Sequence, residues 1–171
     1  SIANSDFTEQ LAKFSVNGAV ELYHNGSKKL ETASGGVTVT GNVGIGQSSP
    51  SSFDAGANNL VIGATSDTNS GLTIASSGSG IIYFADGTSG DTAYRGTIAY
   101  GHADDAMIFR TGGFTERLRI ASSGQLGIGG ANYGTDGQLL TSTGASSAPA
   151  WEDAPASGTS KGLATILSMI F

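Results

Sequence analysis

Apolar residues along this chain come in short alternating runs separated by turn residues. The first third shows this most plainly. FSV (residues 14–16) is followed by Asn17-Gly18, AVELYH (19–24), Asn25-Gly26 and SKKLETA. Asn-Gly is the favoured pair for a two-residue hairpin turn, because both central residues need positive φ. In the middle run Val20, Leu22 and His24 point to one side; Ala19, Glu21 and Tyr23 point to the other. Gly35-Gly36 marks a further turn, and VTVT (37–40) the next strand. Residues 1–36 thus read as an N-terminal β-meander.

The stretch 60–121 carries six strand-sized runs: LVI (60–62), LTIA (72–75), IIYFA (81–85), RGTIAY (95–100), AMIFRT (106–111) and ERLRI (116–120). Asp86-Gly87, Gly90-Asp91, residues 101–105 and Gly112-Gly113 separate the later ones. Short strands at this spacing, with no helical period between them, predict a small antiparallel β-sandwich, a knob.

Residues 122–158 read as a second stalk and loop, with one strand in QLLTS (138–142) and Trp151 in a packing role. Residues 159–171 change period. Leu163, Ile166, Leu167 and Ile170 fall at i, i+3, i+4 and i+7, the stripe of a short amphipathic helix. So short a helix needs a partner surface.

Two internal echoes stand out. GNVGIG (41–46) returns as GQLGIG (124–129), and IASSG occurs at 74–78 and 120–124. Two copies are too few for a solenoid. Glycine at so many strand positions cannot bury much side-chain area in one chain, and it fits where backbones approach closely. Residues 37–59 therefore read as a thin β-stalk. Val43, Ile45, Leu126 and Ile128, with the C-terminal stripe, are the expected trimer-packing residues. The fold class is all-β: a trimeric fibrous protein with glycine-rich stalks flanking a knob, ending in a short helix. Closing sheets between chains also removes exposed edges.

Composition sharpens this picture. The 171 residues include 27 glycines, 23 serines and 17 threonines, with only 13% charged residues. That excludes a helical bundle, and the absence of a strict three-residue period excludes collagen. The net charge of −6, with eight Lys and Arg, speaks against nucleic-acid binding. Cysteine is absent, which excludes disulfides and thiol chemistry. No apolar run approaches the length of a membrane span, so no membrane insertion is expected. The polar, acid-bearing start does not read as a secretory leader.

Candidate chemistry is sparse. GNVGIG lacks the following helix that a phosphate loop requires. His102, Asp104 and Asp105 read as a solvated hairpin tip rather than a metal site. DGTSGD (86–91) lacks the calcium-loop pattern. Glycoside hydrolysis needs two carboxylates across a groove, and Asp86, Asp91, Asp104, Asp105 and Glu116 mostly fall in turns. No catalytic residue, cofactor or metal is expected. Tyr94, Tyr100, His102 and Phe114 are the candidate receptor contacts, as aromatics beside polar turns.

Three segments carry a resemblance. AVELYHNGSKKLETASGGVTVTGNVGIG is similar to a module of tail-fibre and virion structural proteins of marine, cyanobacterial-type tailed phages. The run GLTIASSGSGIIYFADGTSGDTAYRGTIAYGHADDAMIFRTGGFTERLRIASSGQLGIG resembles a second such module, and DGQLLTSTGASSAPAWED a third. The resemblance implies a homotrimeric structural fibre on the virion surface, partnered by other virion proteins and a host surface glycan or protein. The alternatives are a polysaccharide-degrading tail spike and a bacterial surface adhesin stalk; the absence of a leader in the sequence weighs against the adhesin.

Overall fold

A computed structural model describes residues 2–6 and 8–155. The described chain is built from short β-strands, with two short 3-10 helices. It forms two compact units that meet in sequence at Thr73/Ile74. The stripe Leu163, Ile166, Leu167 and Ile170 lies outside the described residues.

The first unit opens with the expected meander. Strands β1 (Ile2–Ala3), β2 (Gln10–Phe14), β3 (Val20–His24), β4 (Ser27–Ala33) and β5 (Gly36–Val39) pair antiparallel in chain order. The β3–β4 turn has the predicted form, with Asn25 at φ 48 and Gly26 at φ 68. The β2–β3 turn does not. Only Asn17 has positive φ there, at 56. The Gly18 amide donates to the Ser15 carbonyl at 3.1 Å, and the Ser15 amide to Ala19 at 3.3 Å. Three residues then bridge the strands instead of two, and Val16 at the tip is 95% exposed. The same dipeptide gives two turns because the flanking strand registers differ.

Register sorts this sheet into two chemical faces. Ala12, Leu22, Leu30 and Val39 form a continuous cross-strand row, extended at the edge by Ile2. The opposite face carries a charge ladder. Lys13 meets Glu21 at 3.2 Å, and Lys28 reaches Glu21 at 3.3 Å and also pairs with Glu31. The Tyr23 hydroxyl donates to Glu21 at 3.1 Å. These contacts, the Lys13 bond first, hold the Glu21 carboxyl below the usual glutamate range.

Strand β6 (Val43–Ile45) then pairs in parallel with β7 (Leu60–Ile62). LVI therefore lies in the first unit and is not part of the sheet that follows. Val43 is half-buried and Ile45 is 55% exposed.

The second unit holds one antiparallel sheet of five strands in chain order: β8 (Ser79–Phe84), β9 (Gly96–Gly101), β10 (Ala106–Thr111), β11 (Thr115–Ile120) and β12 (Leu126–Ile128). The expected two-layered sandwich is thus a single-layered meander. Residues 72–75 were expected as a strand but have no ladder partner. Alternation yields a strand only where an edge accepts its hydrogen bonds. Ile74 instead lies over Gly80, within 3.7 Å of where a Cβ would sit. Leu126 and Ile128, expected in a second stalk, belong to the edge strand β12. A final hairpin pairs β13 (Gln138–Thr141) with β14 (Ala150–Asp153). Trp151 packs as expected: its indole N–H donates to the Asn132 carbonyl at 3.0 Å, and its ring lies against Gly134.

The G-x-x-G-I-G echo is a structural repeat. Its first glycine has positive φ in both copies, 114 at Gly41 and 83 at Gly124. So does its last, 72 at Gly46 and 66 at Gly129. At the central glycine a carbonyl three residues onward folds over the Cα. It belongs to Gln47 above Gly44 and to Gly130 above Gly127. The IASSG echo is not structural. Residues 74–78 are irregular, whereas 120–124 end β11 and turn, with the Gly124 amide donating to Ala121 at 2.8 Å.

Gly127→Ala is expected to destabilise the chain by about 1–3 kcal/mol, because its Cβ meets Gly130, Arg119 and Tyr133 at once. Gly71→Ala, with open space around it, is expected to leave the urea midpoint unchanged. Equal midpoints for the two variants would contradict this account.

Candidate binding surface

The second sheet also has two faces. On one, Ile82, Ile98, Phe109, Leu118 and Ile128 form a straight row across all five strands. A parallel row holds Tyr100, Met107, Ile120 and Leu126. These two rows carry no charged residue, yet Ile82 is 42% exposed and Leu126 43%; Arg117 reaches the same side at the end of β10, donating to Thr111 at 3.0 Å. Phe84, beside them and 55% exposed, leans over Gly96.

The other face mixes small, aromatic and charged residues. Ile81, Ala99, Ile108, Arg119 and Gly127 make its central row. Ala99, Ala106 and Ile108 are buried here. Arg119 crosses this face at the glycine. Its Nε donates to Glu116 at 2.5 Å, and Asp104 lies 3.7 Å from its other nitrogens. The Glu116 carboxylate, and then the Tyr133 hydroxyl, hold the guanidinium more firmly protonated than usual. Gly127 leaves room for both the Arg119 stem and the Tyr133 ring.

At one end of this face the aromatics gather. The 3-10 helix Gly90–Tyr94 returns the chain from β8 to β9 and places Tyr94 beside two rings. Phe114 lies 4.5 Å away at an interplanar angle of 36°, and Tyr83 lies 6.1 Å away at 49°. Gly112 and Gly113, with φ of 63 and 82, turn β10 into β11 and carry Phe114 outward. The Tyr94 hydroxyl donates to Asp91 at 3.2 Å, and Asp91 sits against Gly113, where a Cβ would crowd it. Arg110 stands 6.0 Å from the Phe114 ring centre and has no ion pair among the described residues. Tyr83 is 46% exposed and Phe114 57%.

Thr97 occupies the row between Tyr83 and Arg110. It is buried, and its hydroxyl has no hydrogen-bond partner among the described residues. A buried hydroxyl left unmet costs about 1–3 kcal/mol.

The four sequence-derived contacts therefore separate. Tyr94 and Phe114 join, with Tyr83, Arg110 and Asp91 added. Tyr100 and His102 form an edge-on pair, 5.0 Å apart at 76°, at the far end of β9. Four residues of β9, Gly96 to Ala99, about 13 Å of strand, lie between Tyr94 and Tyr100. The Tyr100 hydroxyl bonds Asp105 at that end. Tyr83 escaped the sequence reading because it lies inside a strand; its alternation with Ile82 and Phe84 was the available signal.

Five acids of the β8–β12 sheet and its connections are engaged nearby. Asp86 pairs with Arg95 at 3.4 Å, Asp91 with Tyr94, Asp104 and Glu116 with Arg119, and Asp105 with Tyr100. Among the described residues no group of three His, Asp or Glu side chains is arranged to hold a metal, and no helix is long and apolar enough to cross a membrane. Neither a protein-family model, a curated protein nor a solved structure matches the chain.

Two outcomes follow from this geometry. Thr97→Val keeps the side-chain shape and removes the unmet hydroxyl, so it is expected to raise the melting temperature, by about 1 kcal/mol of stability. A fall would mean the hydroxyl is satisfied. Partial burial, and then the Asp91 carboxylate, raise the Tyr94 phenol above the usual tyrosine value. A raised folded value makes its contribution complete below about pH 10 and lost as pH rises through the folded pKa. Absorbance titration is expected to show a late-ionising tyrosine that disappears in Tyr94→Phe; an unchanged curve in that variant would contradict the assignment.

Proposed function

We propose that this chain is a structural fibre or appendage protein of a phage virion, assembled as a homotrimer on the particle surface. The observation that carries this reading is the pair of open apolar sheet faces. Strands about 4.8 Å apart, averaging about five residues in each sheet, make a five-stranded face of about 400 Å². A typical monomer's largest apolar patch is about 300–600 Å², so two such faces on one chain favour burial against other chains. The long segments that resemble phage fibre modules support the reading, and the trimer and virion setting are what that resemblance implies.

In this reading Val43, Ile45, Leu126, Ile128 and the C-terminal stripe pack between chains. The chain has no catalytic role and needs no cofactor; it extends from the particle, contacts other virion proteins and meets the host surface. A polysaccharide-degrading spike would need a free acid and base across a groove, and among the described residues five acids of the second sheet's region are tied to neighbours instead.

Light scattering coupled to size exclusion is expected to give a mass of three chains. Ile82→Asp and Leu126→Asp place charge on side chains already exposed in the single chain. A monomer tolerates them; an assembled face does not. Loss of the trimer in both variants is the expected result. A well-folded monomer in the unsubstituted protein would overturn the proposal.

A further inference from the structure

We infer that Tyr83, Tyr94 and Phe114, with Asp91 and Arg110, form a saccharide-binding platform that receives a pyranose unit of a surface polysaccharide. A pyranose ring has an apolar C–H face and a polar rim of hydroxyls. The cluster offers a counterpart to each. Tyr94 and Phe114 lie close and only 36° from parallel. Phe114 and Tyr83 remain about half exposed, so ring surface is open to a ligand. Beside them Asp91 supplies carboxylate acceptors, and Arg110 supplies guanidinium donors that no carboxylate occupies among the described residues. The unpartnered Thr97 hydroxyl sits in the row between Tyr83 and Arg110, so the floor of the cluster also holds an unmet polar group.

Placement separates this platform from the assembly surface. Tyr83, Thr97 and Arg110 share one face of the sheet; Ile82, Ile98, Phe109, Leu118 and Ile128 share the other. A chain that joins others through its apolar face keeps the aromatic cluster turned away from that contact. Aromatic rings also stack on nucleobases. Here the net charge of −6 repels a phosphate backbone, whereas a sugar imposes no such cost. The inference rests on the appendage reading only for the source of the glycan, a host surface.

The test uses the full chain on an array of bacterial capsular and O-chain polysaccharides, with neutral and uronic-acid hexose oligomers beside them. Retention of at least one glycan is expected. Phe114→Ala and Tyr83→Ala change exposed side chains, and each is expected to weaken retention about tenfold or more. Val16→Ser, at the exposed β2–β3 tip of the first unit, is expected to leave retention unchanged. No retained glycan, or equal retention by Phe114→Ala and Tyr83→Ala, would overturn the inference. A trimer that retains no glycan defeats this inference alone. A monomer that retains one through Phe114 defeats the appendage reading alone.

Discussion

A layer of β-sheet needs something against its apolar face to keep water away. In this protein both five-stranded sheets are meanders of consecutive strands, and a meander of short strands makes one layer only. The consequence is visible in the burial. Apart from Ile108, the buried hydrophobic residues are alanines, and among the described residues no large side chain is fully buried. Whole rows of Val, Ile, Leu and Phe stand on faces that remain partly open. Burial of such rows is the main favourable term in folding, at about 25 cal/mol for each Å² removed from water. Under the proposed assembly, a second layer from other chains adds that term at the point where one chain leaves it incomplete.

The glycines follow from the same constraint. A chain built from two- to seven-residue strands must turn often, and it must do so without large side chains to fill the corners. The G-x-x-G-I-G element solves this locally. Positive φ at each end bends the backbone, while the bare central Cα lets a carbonyl fold over it. The same element serves two different pairings, parallel at β6 and antiparallel at β12. At β12 it does more, because the space left by Gly127 admits the Arg119 stem between Glu116 and Asp104. Arg119 and Glu116 form an ion pair within β11, at 14% and 17% side-chain exposure, with Asp104 reaching in from the β9–β10 turn. The pair is charge-assisted and only partly exposed, so it resists screening better than a surface pair does.

Strand positions were largely legible from alternation and Asn-Gly punctuation. Both depend on neighbours along the chain, which a sequence displays directly. The layer count was not legible, because six alternating runs suit a sandwich and a meander equally well; which edges meet depends on turns. Asn17-Gly18 and Asn25-Gly26 show how little of that geometry a dipeptide contains. LVI was misplaced for a related reason: its partner, Val43–Ile45, lies across a parallel crossover that no hairpin signal announces. The candidate surface was half legible. Tyr94 and Phe114 could be chosen as aromatics beside turns, but a strand of six residues carries Tyr100 and His102 to the opposite end. Tyr83 and Arg110 join the cluster only through cross-strand register with Thr97.

That register also gives one sheet two chemically different surfaces. Side chains alternate between faces, so away from the bulge a residue on the apolar face is followed by one on the other. Ile82 and Phe84 point to the apolar face, and Tyr83 between them points to the platform. A one-residue slip of β8 would exchange the two sets, placing a tyrosine among the aliphatic rows and two apolar side chains beside Arg110. The tip glycines guard against such slips at the β10–β11 hairpin, since Gly112 and Gly113 fix the loop length by conformations that other residues resist. The bulge between Phe109 and Arg110 acts in the same direction: it lets β11 keep Leu118 on the apolar row while Glu116 stays beside Arg119. Separation of the apolar rows from the aromatic cluster is thus written in the pleat of the sheet, and under the proposed assembly it holds for any number of chains that share the apolar side.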